Sequence, residues 1–237
     1  MDKPVVVLDP GHGGYDPGAV AHGLREKDLN LKLALMVAER LSGVKVLMTR
    51  ESDLFVSLAD RVAFSRRAEP DLFLSLHANA GGGRGFESFI SREAAKEAAA
   101  MQSALHGNIM EALKPWDITD RGMKQAAFYV LRHNPRPAVL IESLFIDNER
   151  EANLWRDNRF IEDLARGVSE GVLSALGLSG GQSTEPEAPL PYLRPAPGSR
   201  LYTVQVGAFA YIDNARRRLE EARAAGFDDA YIYEKQF

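Results

Sequence analysis

The stretch VVVLDPGHGG, residues 5–14, places four consecutive apolar residues directly before a glycine-rich segment. An apolar run without alternation is typical of a strand that is buried on both faces. The stretch therefore predicts a short interior strand over Val5–Leu8 that leads into a glycine-rich loop. His12 lies in that loop.

Downstream of this strand, the pattern changes to helical periodicity. Apolar residues recur at helical spacing from Leu29 to Leu41 and stop at Gly43, a typical helix terminator. Ser57 and Asp60 have the spacing of a capping box at the start of a further helix. Strands that alternate with helices predict an α/β fold with a mixed, mostly parallel sheet and helices on both faces. The remaining predicted strands cover 45–49, 72–77, 86–90, 128–131 and 138–141, and the remaining predicted helices cover 93–114 and 161–176.

Composition changes abruptly near residue 178. Residues 178–200 contain five of the twelve prolines, among glycine, serine and glutamate, which is typical of a semi-stiff, extended linker. Residues 201–237 have the pattern of a small β-α-β module, which is marginal as an independent core. We therefore predict a principal domain over residues 1–177, a Pro-rich linker over 178–200 and a β-α-β module over 201–237.

Composition also excludes several classes of function. The chain is 45% hydrophobic and 26% charged and has a net charge of −4, which argues against a nucleic-acid-binding protein. No apolar run approaches the roughly 20 residues that span a bilayer, so we expect no membrane insertion. The absence of cysteine excludes disulfides, thiolate metal sites and cysteine nucleophiles, so any metal must be held by histidine and carboxylate.

Four residues have the chemistry and the placement of a metal-dependent hydrolytic site. His12 follows the first predicted strand, Glu26 lies in the loop before the first predicted helix, and His77 and Glu142 end two later predicted strands. Sites of parallel-sheet proteins lie at such carboxyl ends. Two imidazoles and a carboxylate around an open position suit a catalytic zinc, and a further carboxylate would supply the base. A histidine at a strand end is also often only structural, so this pattern leaves both interpretations open.

Glu142 is harder to interpret as merely structural, because it follows an apolar run and an unpaired buried charge is costly, so it needs a partner. The other candidates have weaker signals. The glycine-rich loop lacks the sequence patterns of phosphate-binding loops, which argues against nucleotide binding. His22 is either a site-lining or a solvated residue, and His106 and His133 are expected to be structural or at the surface. Three residues could contact a substrate carboxylate or carbonyl: Asn79, Arg121 and Arg132.

Several motifs together resemble one family. They are VLDPGHGG at 7–14, GLRE at 23–26, FLSLHAN at 73–79 and PAVLIE at 137–142. In this order they resemble the zinc-dependent N-acetylmuramoyl-L-alanine amidases of bacterial cell walls, the amidase 3 family, over about residues 4–176. Ser143 and Leu144 depart from the family, in which small residues, often glycine, are usual at these positions.

The resemblance implies specific roles. Carried over residue by residue, it makes His12, Glu26 and His77 the ligands of Zn²⁺ and Glu142 the catalytic carboxylate. It implies hydrolysis of the amide between N-acetylmuramic acid and L-alanine in peptidoglycan, as in a cell-wall autolysin. We expect a monomer that acts outside the cytoplasm, after loss of a signal peptide or after release by lysis, because the N-terminus lacks a signal-peptide pattern.

The C-terminal segment has a resemblance of its own. LYTVQVGAF at 201–209 resembles one repeat of the sporulation-related peptidoglycan-binding (SPOR) domain, which normally contains two. A generic β-α-β fragment is the alternative. For the whole chain, the alternatives are a zinc peptidase or deacetylase that acts on another amide, and a catalytically dead cell-wall-binding protein.

Overall fold

The computed structural model describes residues 3–178. The chain divides into two units, Met1–Gly180 and Gly181–Phe237, and the described residues belong to the first. The predicted linker, except its first residue, and the predicted module over 201–237 lie outside the described residues. Within residues 3–178, no helix has the length and apolar character that crossing a bilayer requires.

A six-stranded sheet forms the centre of the described unit, with the strand order β4-β1-β5-β8-β6-β7. Strands β1, β4, β5 and β8 run parallel to one another, whereas β6 pairs antiparallel with β8 and β7 follows β6 in parallel. Two strands of two residues each, β2 and β3, pair antiparallel with each other outside this sheet. The sheet strands are β1 (Val5–Pro10), β4 (Lys45–Met48), β5 (Leu72–Asn79), β6 (Phe86–Ile90), β7 (Asp120–Gln125) and β8 (Ala138–Phe145), and the short pair is β2 (Val20–Ala21) and β3 (Leu24–Arg25).

Helices cover both faces of the sheet, which confirms the predicted fold class. The larger core lies under the three long helices, and the smaller core lies under two shorter ones. The long helices are α1 (Glu26–Arg40), α3 (Lys96–Leu113) and α6 (Asn158–Ala175), the two shorter ones are α2 (Leu58–Ala68) and α4 (Tyr129–Arg132), and α5 (Glu149–Leu154) follows β8.

The smaller core identifies the face of the sheet from which His77 and Glu142 project. Val7, Phe73 and Leu140 belong to it. Because side chains alternate along a strand, residues that follow these at even spacing lie on the same face. His77 and Glu142 therefore lie on the α2/α4 face, where the two short helices leave the carboxyl ends of β5 and β8 uncovered.

Several sequence-based boundaries were wrong. Residues 128–131 were predicted as a strand, but Tyr129–Arg132 forms a helical turn, because a short apolar run does not distinguish strand from helix. Helix α1 begins at Glu26 and not at Leu29, since the charged residues of its first turn add nothing to the apolar periodicity. Strands β5 and β8 also continue beyond the predicted ends, so His77 and Glu142 lie inside strands.

Strand β7 and helix α5 were not predicted. The sequence of β7, DRGMKQ, has no buried residue, because this strand is an edge of the sheet and faces solvent. The Ser57–Asp60 capping box is confirmed, since the Ser57 Oγ accepts a hydrogen bond from the Asp60 amide at 3.1 Å.

Two buried guanidinium groups hold the loop that follows β1. Arg61 is only 3% exposed and donates to the carbonyls of Pro10 at 2.7 Å and His12 at 2.8 Å. Arg50, also 3% exposed, donates to the carbonyls of Pro10 at 3.0 Å and Gly11 at 2.8 Å. Arg61 further pairs with the buried carboxylate of Asp9 at 2.7 Å. Three successive carbonyls of the loop are therefore fixed by side chains.

Replacement of Arg61 is expected to destabilise the protein strongly. Arg61→Met should lower the free energy of unfolding by about 3–5 kcal/mol, because it leaves the Asp9 carboxylate buried without its cation. Urea denaturation followed by circular dichroism measures the change. Arg159→Met is the control, since Arg159 pairs with Asp157 at the surface and its loss should leave the free energy of unfolding nearly unchanged. Equal, small effects of both substitutions would contradict this role of Arg61.

Candidate functional site

His12, Glu26 and His77 converge on one point of the α2/α4 face. Their potential ligand atoms all lie within 4.8 Å of one another. The Oε1 atom of Glu26 lies 3.2 Å from Nε2 of His12 and 2.9 Å from Nδ1 of His77. Two imidazole nitrogens and one carboxylate oxygen therefore face a common centre.

Each of the three side chains is fixed by its own element. His12 follows β1 in the left-handed region, with a φ of 60°, and its carbonyl is held by Arg61. Glu26 is the first residue of α1, and its second oxygen accepts a hydrogen bond from the Ala19 amide at 2.9 Å. His77 lies in β5, between two neighbouring strands.

Asp16 orients the His12 ring. Its Oδ2 lies 2.8 Å from Nδ1 of His12, and since a carboxylate only accepts, Nδ1 carries the proton. The opposite nitrogen, Nε2, then faces Glu26. A carboxylate on the far nitrogen of a metal-ligating histidine is a common orienting contact. Asp16 is held in turn by the tight bridge between Gly13 and Asp16 and by the Gly18 amide at 3.1 Å.

Two glycines leave room for these side chains. A Cβ on Gly11 would lie 2.1–2.6 Å from atoms of the His77 ring. A Cβ on Gly18, where φ is +64°, would lie 2.6 Å from Oε2 of Glu26 and 2.7 Å from Cδ2 of His12. Any other residue at either position would displace a member of the cluster.

Glu142 lies beside His77 in the neighbouring strand. The two residues are register partners of the parallel pair β5/β8, so their side chains project from the same face. The register then shifts, because Leu144 adopts the left-handed region with a φ of 59°. This explains why glycine is usual here in the family that the sequence resembles. Leu144 is fully buried in the larger core, and Oε2 of Glu142 is buried without a hydrogen-bond partner.

A second carboxylate, Glu87, continues the same row across the sheet. Glu87 is the antiparallel register partner of Glu142. It accepts hydrogen bonds from Asn79 at 2.7 Å and Arg121 at 3.1 Å, and it also pairs with Lys124. The row therefore runs from His77 through Glu142 to Glu87, and cations surround only its last member.

These surroundings give the ionisable groups different proton affinities. Burial raises the pKa of Glu142 to about 7, with His77 opposing and the charges of Glu26 and Glu87 adding to the increase. Burial alone would lower the pKa of His12, but Glu26 and Asp16 outweigh it and raise the pKa to about 9. Burial also disfavours ionised Glu26, yet both imidazoles hold its pKa well below the usual range. The ionised Glu26 carboxylate thus raises the pKa of both neighbouring imidazoles, against the effect of their burial.

A cleft of about 500 Å³ opens onto the cluster. His12, Glu26, His77 and Glu142 all line it, and so does Asn79. Its walls also carry apolar side chains from two segments, which are Phe55, Val56 and Leu58 on one side and Phe128, Tyr129 and Val130 on the other.

The remaining candidates from the sequence lie elsewhere. His22 is exposed, and its ring lies 3.3 Å from the Asp147 carbonyl. His106 is a buried structural residue between Ser88 and Asp120, each at 2.9 Å. Three candidates have other neighbours: His133 stacks on Tyr129, Arg132 lines a separate cavity of about 330 Å³, and Arg121 pairs with Glu87.

Sequence reasoning missed several residues that shape the site. Glu87 lies within a correctly predicted strand, and the apolar residues of that strand, Phe86, Phe89 and Ile90, were a signal that its carboxylate is buried. Arg50, Arg61 and Asp16 were not among the candidate site residues. Their roles depend on which backbone carbonyls and ring atoms they reach, and residue spacing does not contain this information.

The arrangement suits a metal ion. The donors are of the type that zinc accepts, namely imidazole nitrogen and carboxylate oxygen, and three protein ligands leave a position free for water or substrate. The cradle formed by Gly11 and Gly18 and the unpartnered oxygen of Glu142 beside the cluster fit the same interpretation.

Comparison with known proteins identifies the family of the chain. The profile of the amidase 3 family, described as N-acetylmuramoyl-L-alanine amidase, matches residues 6–174. A profile of the SPOR domain matches residues 198–236.

Similar proteins include a sporulation-specific N-acetylmuramoyl-L-alanine amidase of Bacillus subtilis, which is 40% identical over 96% of this chain and 84% of its own length. An endolysin of Bacillus phage SPP1 is 43% identical over 77% of this chain and 71% of its own. The crystal structure of an N-acetylmuramoyl-L-alanine amidase from Clostridium difficile superposes with a TM-score of 0.72, at 31% identity, over 76% of this chain and 100% of that one. By sequence and fold, the chain belongs to the amidase 3 family of N-acetylmuramoyl-L-alanine amidases.

Proposed function

We propose that this protein hydrolyses the amide bond between N-acetylmuramic acid and L-alanine in peptidoglycan. The observation that carries the proposal is the convergence of His12, Glu26 and His77 beside an unpartnered Glu142, within a chain of this amidase family. Its relatives bear the name of this activity. Action on the cell wall places the working protein outside the cytoplasm, and its monomeric state stays a prediction.

The proposed cofactor is Zn²⁺, held by Nε2 of His12, Nδ1 of His77 and Oε1 of Glu26. When bound, zinc supplies a Lewis acid that polarises a carbonyl and lowers the pKa of water toward about 7. Asp16 keeps the proton of His12 on Nδ1 and so leaves Nε2 free to bind. Burial of the cluster in a cleft strengthens each of these electrostatic contacts.

Glu142 is the proposed general base. Its carboxylate accepts a proton from the attacking water and returns this proton to the amide nitrogen, so that the amine leaves as a neutral molecule. A base is most effective when its pKa lies near the working pH, and burial of Glu142 raises its pKa in that direction. No covalent intermediate with the protein is required.

Product analysis tests the proposed function. Mass spectrometry of digested peptidoglycan should show free stem peptides with an L-alanine amino terminus. Release of acetate or of internal peptide fragments would instead support a deacetylase or a peptidase. Intact peptidoglycan after incubation with the zinc-loaded protein would support a cell-wall-binding protein without activity.

The metal ligands are testable by zinc affinity. His77→Ala should lower the affinity for zinc at least about 10- to 100-fold, because it removes one of three protein ligands. Competition with a chromophoric chelator measures the affinity. His22→Ala is the control, since His22 lies in a neighbouring loop but outside the cluster, and its zinc affinity should equal that of the wild type. An unchanged affinity in His77→Ala would exclude His77 as a ligand.

Glu142→Gln separates catalysis from metal binding. The amide keeps the shape of the side chain but removes the basic oxygen, so turnover of a soluble muropeptide should fall by about 10²–10⁴ at nearly unchanged zinc content. Glu149→Gln, at an exposed carboxylate, is the matched control and should retain activity. If folded, zinc-loaded Glu142→Gln were as active as the wild type, Glu142 would not be the base.

The C-terminal segment is proposed to bind the wall. Residues 201–237 contain none of the proposed ligands, and the SPOR match covers them almost completely. Deletion of these residues should reduce cosedimentation with sacculi and leave hydrolysis of a soluble muropeptide intact. Loss of soluble activity from a deletion variant that stays folded would assign the segment a role in the reaction itself.

A further inference from the structure

An aromatic pair lies beside the cleft, with one ring exposed and the other half-buried in the cleft wall. Tyr15 is 79% exposed, more than any other large apolar side chain within residues 3–178. Its ring stacks on Phe55 with a centroid distance of 4.2 Å and an interplanar angle of 25°. We call these two residues the aromatic platform. Contiguous exposed apolar surface, unlike scattered single residues, commonly marks a binding site.

The platform is held in place from below. The buried ammonium of Lys27 donates to the Gly14 carbonyl at 2.7 Å and to the Asp53 carboxylate at 2.6 Å, so it joins the two loops that carry the rings. The Gly14 amide also donates to Asp53 at 2.8 Å. A Cβ on Gly14 would lie 2.7 Å from the backbone nitrogen of Phe55, so the loops pack in direct contact. Tyr15 is therefore exposed on a surface in which the two loops are fixed to each other by these contacts.

The platform is continuous with the reaction site. Phe55 lines the cleft together with His12 and Glu142. Tyr15 occupies the tight turn between Gly13 and Asp16, and the next residue in that turn is the carboxylate that orients His12. A ligand on the platform thus lies next to a substrate in the cleft.

The two ends of the site differ in charge. The platform presents uncharged rings at the β1/β4 side of the sheet. At the β6/β7 side, two cations, Arg121 and Lys124, surround the single carboxylate of Glu87. The substrate of the proposed reaction has two unlike arms, a neutral sugar ring with apolar C–H faces and a peptide with a carboxylate terminus.

We propose that the aromatic platform is a sugar subsite, on which a pyranose ring of the glycan strand stacks while the peptide arm extends toward the β6/β7 side. The C–H groups of a pyranose face carry partial positive charge and pack on the negative face of an aromatic ring. This subsite rests on the proposed function and adds the direction in which the substrate lies.

Residue-level footprinting tests the subsite without requiring activity. Hydroxyl-radical labelling, read by peptide mass spectrometry, should modify Tyr15 in the full-length protein. Saturating N-acetylmuramic acid should lower the labelling of Tyr15 at least twofold, whereas an L-alanine-terminated peptide should not. Met123, which is 52% exposed on β7, is the internal reference and should be labelled equally with and without the sugar.

Inhibition kinetics give a second, independent readout. With a soluble muropeptide as substrate, the inhibition constant of N-acetylmuramic acid should rise about three- to tenfold in Tyr15→Ala and stay unchanged in Tyr15→Phe, which keeps the ring. Leu35→Ala is the control, because Leu35 is an exposed apolar residue of α1 that does not line the cleft. Its inhibition constant should equal that of the wild type.

The outcomes separate the subsite from the proposed function. Unprotected Tyr15, or equal inhibition constants in the wild type and Tyr15→Ala, would overturn the subsite even in an active amidase. A larger effect of Tyr129→Ala would place the sugar on the Phe128–Val130 segment of the cleft wall and also overturn it. If the wild type did not cleave muropeptides but the sugar still protected Tyr15, the proposed function would fail and the sugar subsite would stand.

Discussion

The contact between two buried guanidinium groups and three successive backbone carbonyls is the constraint on which the site depends. Residues 10–12 leave β1 and must turn sharply, because His12 has a positive φ. Glycine-rich backbone alone would not hold one such conformation. Arg50 and Arg61 fix it by satisfying the carbonyls of Pro10, Gly11 and His12 from below. The position of one proposed metal ligand is thus set by residues from two other segments of the chain.

The antiparallel strand β6 gives the two neighbouring carboxylates of the site different surroundings. Because β6 enters beside β8 in the reverse direction, it places Glu87 next to Glu142. Two carboxylates side by side would normally repel each other. Here the cations on Glu87 hold its pKa low, against the effect of burial, whereas burial raises that of Glu142. One sheet row therefore contains a permanent anion and a carboxylate that can exchange a proton.

The sequence alone predicted the site residues that follow recognisable apolar strands. Short apolar runs marked β1, β5 and β8, and the residues that follow them included His12, His77 and Glu142. The other features of the site depend on how the strands are aligned with one another in the folded sheet. The bulge at Leu144 was suggested only by a departure from a family pattern, and the partners of Glu87 come from an edge strand with no apolar signal. The helical turn at Tyr129 was misassigned because four residues carry too little periodicity.

The turn between Gly13 and Asp16 has a thermodynamic consequence. It holds one side chain that faces solvent, Tyr15, and one that faces the cluster, Asp16, on adjacent residues of a single hydrogen-bonded unit. If a ligand contacts Tyr15 and orders this turn, less conformational entropy remains to be lost when Asp16 orients His12. Linkage requires the reverse effect to have the same magnitude. Binding of a sugar at the proposed subsite and binding of a metal at the cluster would therefore be coupled through the four residues of this turn.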